Sequence, residues 1–420
     1  MKNLKYILGA TSISIVLSGC LGGQPSLANL NQEEAYKYDR MYFQQYNQIK
    51  NQMANYKQPS EWIQPKNKKE DCKIYSTEKK STKSAYELYW DGECKNGYAF
   101  GLGRQIENSL YNTNETIAYF EDGKAIEYCV SYDKLKGQTI EGECGYGYDK
   151  PNLFVITSVN EKNGDINIDY QFGSNGTINT PKIYMVSSPF SDVTRYFMSY
   201  PNFTYAIDDT SNENSVSKLM FYSYNEQKMH NGYEIMVTTE NEHISFEMDN
   251  NRRLRFVKLP DDYIKSRYAI YDDIRAKSAL AIEAQEKALF IKEKYKNKIC
   301  KDNVSVNFMD NNEYKNICNE DKYFTNLKTK INEKLERLGR EKELRLAQEN
   351  EQRLIKARES EVIALHRQAE ASERANSQAA LNNVNNMLQN MRTNTQMQML
   401  NNNLMMYNLM PKRHDVYIYK

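Results

Sequence analysis

Seven cysteines stand in this chain: Cys20, Cys72, Cys94, Cys129, Cys144, Cys300 and Cys318. Cys20 follows the small residues Ser18-Gly19 and stands apart from the rest. The other six are even in number, as disulfides in an oxidising compartment require. Six cysteines permit about 15 connectivities. Proximity selects Cys72–Cys94, Cys129–Cys144 and Cys300–Cys318, each closing a short loop that would stabilise by ~3 kcal/mol in a chain-entropy account. Three such bonds leave no thiol for nucleophilic work. Neither CxxC nor HxxxH spacing occurs, and the four histidines are scattered, so no zinc site is expected. Asp208-Asp209 with Asn212, Glu213 and Asn214 lacks the glycine and spacing of a calcium loop and reads as a solvated loop. Gly101-Leu102-Gly103 and Gly145-Tyr146-Gly147 lack the third glycine and the following helix of a dinucleotide loop. A phosphate loop, a nucleophile elbow and a metalloprotease HExxH are all missing from the sequence. His230 and His243 lie in strand-like sequence and read as surface or satisfied residues. Met387, Met391, Met397, Met399, Met405, Met406 and Met410 could offer thioethers to Cu(I). Asn and Gln surround them, so an adaptable, sticky segment is the reading. No catalytic residue, metal or cofactor is expected, and the chain is not read as an enzyme.

Composition sets further bounds. The 420 residues are enough for two or three domains, and the net charge of +1 offers no bulk attraction to nucleic acid. The 33 tyrosines outnumber Phe and Trp together, which favours half-exposed, hydrogen-bonding aromatic surface. No apolar run reaches the roughly 18 residues of a membrane-spanning helix.

Four kinds of element must position these residues. Lys2 and Lys5, then an apolar run from Tyr6 to Leu17 and a small-residue cleavage site, read as a secretory signal. Glu33 to Tyr56 reads as one helix with Tyr38, Met41, Tyr42, Tyr46 and Ile49 near one face, ended by Pro59 and Pro65. From about Asn67 to Pro260 the period becomes two. Phe154–Val159 and Ile166–Tyr170 flank Asn163-Gly164, and Lys218–Tyr224 and Tyr233–Thr238 flank Asn231-Gly232; both read as hairpins. Ile244–Met248 and Leu254–Val257 continue an antiparallel meander. After Pro260, Asp261 and Asp262 start a helix with Ile270, Ile274, Ala281, Ala284, Ala288, Ile291 and Tyr295 at three-and-four spacing. A second helix, from near Glu320 to at least Ser377, carries Phe324, Leu327, Ile331, Leu335 and Leu338. Glu–Arg pairs at i,i+4 then support it. The expected element is a helical hairpin stapled by Cys300–Cys318, whose longer arm permits weak self-association through Ile355, Val362 and Ala369.

Three stretches resemble known families. Leu17-Ser18-Gly19-Cys20 looks like the lipobox of bacterial lipoproteins, which implies acylation of Cys20 and a chain tethered outside the cytoplasm. Leu21, where an aspartate would imply inner-membrane retention, implies the outer membrane. Trp90-Asp91-Gly92-Glu93-Cys94-Lys95-Asn96-Gly97-Tyr98-Ala99-Phe100-Gly101-Leu102-Gly103 resembles one degenerate MORN repeat, with Cys94 in place of an aromatic and an echo at Tyr119–Gly123. A lipidated cysteine, a long helix and a final Lys420 are similar in layout to the major murein lipoprotein, whose terminal lysine joins peptidoglycan. Lys420 is therefore a possible wall-attachment residue.

The expected fold class is α+β: an antiparallel β-meander domain followed by a long α-helical hairpin or coiled-coil-like segment. The expected boundaries are 1–19 (signal peptide), 20–66 (lipidated tether and short helix), 67–260 (disulfide-stapled β domain), 261–380 (helical hairpin) and 381–420 (Asn/Met-rich tail). The expected role is a membrane-anchored scaffold of the cell envelope, on the periplasmic or surface face of the outer membrane. Its expected partners are the membrane through the lipid anchor, an envelope protein or peptidoglycan, and a second copy through the helices. The alternatives are a glycan- or peptide-binding β module and a covalent tether through Lys420.

Overall fold

The computed structural model describes residues 27–54, 59–76, 85–110, 112–133, 136–145, 151–177, 179–210, 217–301, 318 and 320–408. The class is α+β, with long helices and one large, mainly antiparallel sheet. In chain order the elements are β1 (Ala28–Asn29), α1 (Gln32–Ala35), α2 (Lys37–Met53), β2 (Glu61–Ile63), β3 (Ile74–Ser76), β4 (Glu87–Trp90), β5 (Glu93–Lys95) and β6 (Tyr98–Ser109). Then come β7 (Asn112–Glu121), β8 (Lys124–Asp133), β9 (Gln138–Glu143), β10 (Leu153–Lys162), β11 (Asp165–Ser174) and β12 (Lys182–Ser187). The sheet continues with β13 (Val193–Ser199), β14 (Phe203–Thr210), β15 (Ser217–Asn225), β16 (Gly232–Thr238), β17 (His243–Asp249) and β18 (Arg252–Lys258). The last two elements are α3 (Asp261–Lys301) and α4 (Glu320–Asn408).

Strands β6 to β18 pair in sequence order, an uninterrupted meander. Its turns follow from residue type. Asn163 and Gly164 both take positive φ, 54° and 81°, and join β10 to β11 with Lys162 opposite Asp165. Asn250 and Asn251 do the same between β17 and β18. These are the left-handed positions that a two-residue hairpin turn demands. The β15–β16 hairpin forms, but Asn231-Gly232 does not make its turn: residues 226–231 do, and Gly232 opens β16.

One helix binds this meander together. The buried residues of α3 run Tyr263, Arg267, Tyr271, Ile274, Ser278, Ala281, Ala284, Ala288, Ile291, Tyr295 and Ile299, a regular stripe at three-and-four spacing. Tyr263 meets Tyr233 on β16, Arg267 meets Tyr205 on β14, and Tyr271 meets Tyr196 on β13. Ser278 donates to the Phe172 carbonyl on β11, Gln285 to Glu141 on β9, and Lys298 to the Leu102 carbonyl on β6. Each helical turn advances about 5.4 Å, close to the ~4.8 Å between strands. Tyr263 to Lys298 thus rise about 53 Å, against about 48 Å for the ten gaps between β16 and β6. The match lets each turn of α3 sit on the next strand. Ala281, Ala284 and Ala288 hold the centre of the helix close to the sheet.

This geometry regroups the elements. The apolar stripe of α3, expected to face a helical partner, lies on the sheet. The helix of the tether region also belongs there: Tyr42 and Tyr46 of α2 enter the same core as Phe203, Tyr205 and Ile235. Arg267 joins α3 to α2 through Asp39, which also accepts from Tyr205 at 3.0 Å. At the far end the small β2–β3 sheet and the 72–94 disulfide enclose Trp90, 0% exposed, with Ala118 and Phe120. Gly103 makes room for it, since a Cβ there would lie 2.5 Å from Cη2 of Trp90 and 2.8 Å from Gly92.

The chain divides into two compact units, Met1–Leu335 and Glu336–Lys420. In the first, α4 contributes Lys330 to Glu161 at 3.4 Å and Lys334 to Asp165 at 3.2 Å. In the second, the helix exposes Leu344, Leu354, Val362, Leu381, Val384 and Leu388.

Candidate functional site

Strand alternation assigns the sheet two unlike faces. On β12–β16 one face carries Ile183, Tyr196, Phe203, Tyr205, Phe221 and Tyr233, all packed with α2 and α3. The residues between them point the other way. Cross-strand pairing lines these up in three rows. The first is Lys182, Ser199, Thr204 and Tyr224; the second is Tyr184, Phe197, Ala206 and Tyr222; the third is Val186, Arg195, Asp208 and Met220. These rows are the candidate site.

Small residues set its relief. Gly173 lies opposite Tyr184, and a Cβ there would strike the Ile183 carbonyl. Ala206 lies between Phe197 and Tyr222 and is 1% exposed, so the flanking side chains close over it. What remains is a platform. The Tyr184 and Phe197 rings stack at 4.8 Å and 25°. Tyr222 stacks on His230 at 4.7 Å and 23°. Lys182, Tyr184, Phe197, Tyr222, Tyr224 and His230 are all half-buried.

Charges border the rings. The Tyr222 hydroxyl donates to Asp208 Oδ1 at 3.1 Å, and Arg195 Nε lies 3.7 Å from the same oxygen. Burial pushes the Asp208 carboxyl up, against the pull of Arg195, Tyr222 and His230. Burial, and then Asp208, pushes the Tyr222 phenol up. Burial alone pushes Lys182 down from the usual ammonium range. Its Nζ sits 4.8 Å from the Tyr184 ring centroid. Clustered groups with shifted proton affinities on one surface are a mark of functional sites. The platform can stack flat ligands, accept and donate hydrogen bonds, and hold an anion.

The residues singled out from the sequence are distributed as follows. Cys72–Cys94, Cys129–Cys144 and Cys300–Cys318 are brought together in the expected pairs, with Cα separations of 5.2, 5.3 and 5.7 Å. Cys20 and Lys420 lie outside the described residues. The solvated-loop reading of Asp208-Asp209 is corrected: both stand in β14, Asp208 on the platform and Asp209 on the helix face, where it accepts from Tyr271 at 2.6 Å. His230 belongs to the platform, and His243 approaches the Tyr268 hydroxyl at 3.3 Å. Met387 and Met391 are exposed on α4, while side chains beyond 394 lie outside the described residues. Among the described residues no three His, Cys, Asp or Glu side chains group as a metal site. Nor is any described helix long and apolar enough to cross a membrane.

Lys182, Tyr184, Arg195, Phe197 and Tyr222 were not singled out by sequence. The available signal was the alternation of Tyr184 with Ile183 and Met185, and of Phe197 with Tyr196 and Met198. It was hidden because both faces of these strands are apolar. Comparison with the profiles of known protein families and with curated proteins yields no match.

Proposed function

We propose that this chain is a lipid-anchored scaffold of the bacterial cell envelope. Cys20 holds it at the outer membrane, on the periplasmic or surface side, and the sheet presents its open face to an envelope protein or peptidoglycan. The reading rests on one observation above others: α3 and α2 cover one face of β12–β16 and leave aromatic and ionic side chains half-buried on the other. A helix that touches strand after strand makes a rigid support, which a display surface needs. The secretory pattern before Cys20 and the three cysteine pairs favour an oxidising envelope compartment over the cytosol.

This reading keeps a stapled connection between α3 and α4. Cys300–Cys318 staples the passage from α3 to α4. Beyond Leu335, Ile355, Val362 and Ala369 at a spacing of seven offer a second copy a weak coiled-coil-like contact.

Photo-crosslinking in cells tests the open face. A crosslinking side chain at Tyr224 should capture an envelope component, and one at the exposed Leu280 of α3 should not. Capture from Leu280 alone would contradict the assignment. Replacing Cys20 with Ala should move the protein from the membrane to the soluble fraction.

A further inference from the structure

The platform's own chemistry narrows what it holds. This inference rests on the open-face reading above and names the ligand class. Two observations carry it.

The first is that β12–β15 are interior strands, paired on both sides. A strand flanked on both sides offers no free edge to an added peptide strand, and Gly173 and Ala206 leave a closed surface where a helix would need a groove. Strand addition and helix-in-groove docking therefore find no seat here. A flat, half-buried aromatic surface edged with hydroxyls suits the apolar face and hydroxyl rim of sugar rings.

The second is charge. Arg195 has Asp208 as its counter-ion, whereas Lys182 makes no ion pair among the described residues. Its ammonium is half-buried beside Tyr184 and next in its row to the Ser199–Thr204 hydroxyl pair. A cation in that position is stabilised by an anion brought with the ligand.

We propose that the face bearing Lys182, Tyr184, Phe197 and Tyr222 binds an acidic oligosaccharide, with sugar rings on the aromatic surface and a carboxylate at Lys182. The Ser199–Thr204 hydroxyl pair stands next to Lys182 in its row, and Tyr224 ends that row. Asp208 and Arg195 border the opposite row.

The test is calorimetric titration of the full chain in detergent with three probes: tetragalacturonate, neutral cellotetraose and tetraglutamate. Tetragalacturonate should bind tightest. Lys182→Met keeps the apolar stem and removes the charge; it should weaken tetragalacturonate about tenfold or more and leave cellotetraose unchanged. Tyr184→Ala should weaken both sugars. Thermal melting of each variant separates lost binding from lost fold, and Tyr184→Phe, which keeps the ring, should restore binding. Equal affinity for the two sugars would overturn the carboxylate assignment. Preference for tetraglutamate would overturn the saccharide while leaving the open-face reading standing. Silence from all three probes with the fold intact would overturn the proposal, and crosslinking from Tyr224 would then decide the open-face reading separately.

Discussion

Arg267→Met should be among the most damaging single substitutions in the first unit. Arg267 bonds Asp39 on α2, and the two side chains are only 8% and 11% exposed. Its guanidinium also lies 4.5 Å from the Tyr205 ring centroid and 4.3 Å from that of Tyr263. One side chain thus joins α2, α3 and β14. Methionine fills similar space but leaves the Asp39 carboxylate buried with one partner, the Tyr205 hydroxyl. Removing one member of a buried ion pair costs about 3–5 kcal/mol. The lost cation–π contacts are contained in that figure, because neighbouring terms do not add. A domain above about 150 residues shifts by ~2–4 °C per kcal/mol, so melting should fall by about 6 °C or more. Asp39→Asn removes the stranded charge and should restore much of the loss when combined with Arg267→Met. The assay is thermal and urea unfolding followed by near-ultraviolet tyrosine dichroism, arranged as a double-mutant cycle. A loss under about 1 kcal/mol for Arg267→Met, or a coupling near zero, would refute the role given to this residue.

Other predictions follow from the same geometry. Ala284→Leu pushes α3 off the strands and should cost about 1–3 kcal/mol in urea unfolding, whereas exposed Leu289→Ala should stay within about 0.5 kcal/mol. Gly103→Ala collides with Trp90 and the Gly92 backbone, so the tryptophan dichroism should change and melting should drop. For Glu247, burial is the largest single influence and opposes ionisation, but Lys37, Arg255 and Tyr38 together hold the carboxyl below its usual 4.5. A depressed carboxyl stabilises the fold above its unfolded pKa and loses that contribution as pH falls through the folded value. Glu247→Gln should therefore flatten the acid limb of stability below about pH 4.5. Asp208 has the opposite sign: its carboxyl is pushed up, so Asp208→Asn should steepen the fall in stability toward acid by removing a group that gains protons on folding.

Particular residues show what could be read from sequence. Asn163-Gly164 fixes a hairpin because both positions need positive φ, and flanking period-two runs set the register. The cysteine pairs were recoverable because their loops are short, spanning 22, 15 and 18 residues. The α3 stripe was visible as a period, but a period does not say what covers it. A sheet and a second helix ask for the same apolar face, and the stripe alone does not distinguish them. The same ambiguity concealed the platform. Where Ile183, Tyr184 and Met185 follow one another, no polar residue marks the open side. Asp208-Asp209 read as loop because acidic residues rarely enter strands. Each has a partner that sequence does not place nearby: Tyr222 for Asp208, Tyr271 for Asp209.

The most direct test of an anchored envelope scaffold is the mass of the peptide that carries Cys20, taken from protein extracted from membranes. The account predicts acyl mass on Cys20, with Cys20→Ala abolishing both the mass and the membrane association. An unmodified Cys20, or a Cys20→Ala protein that remains in the membrane fraction, would contradict it.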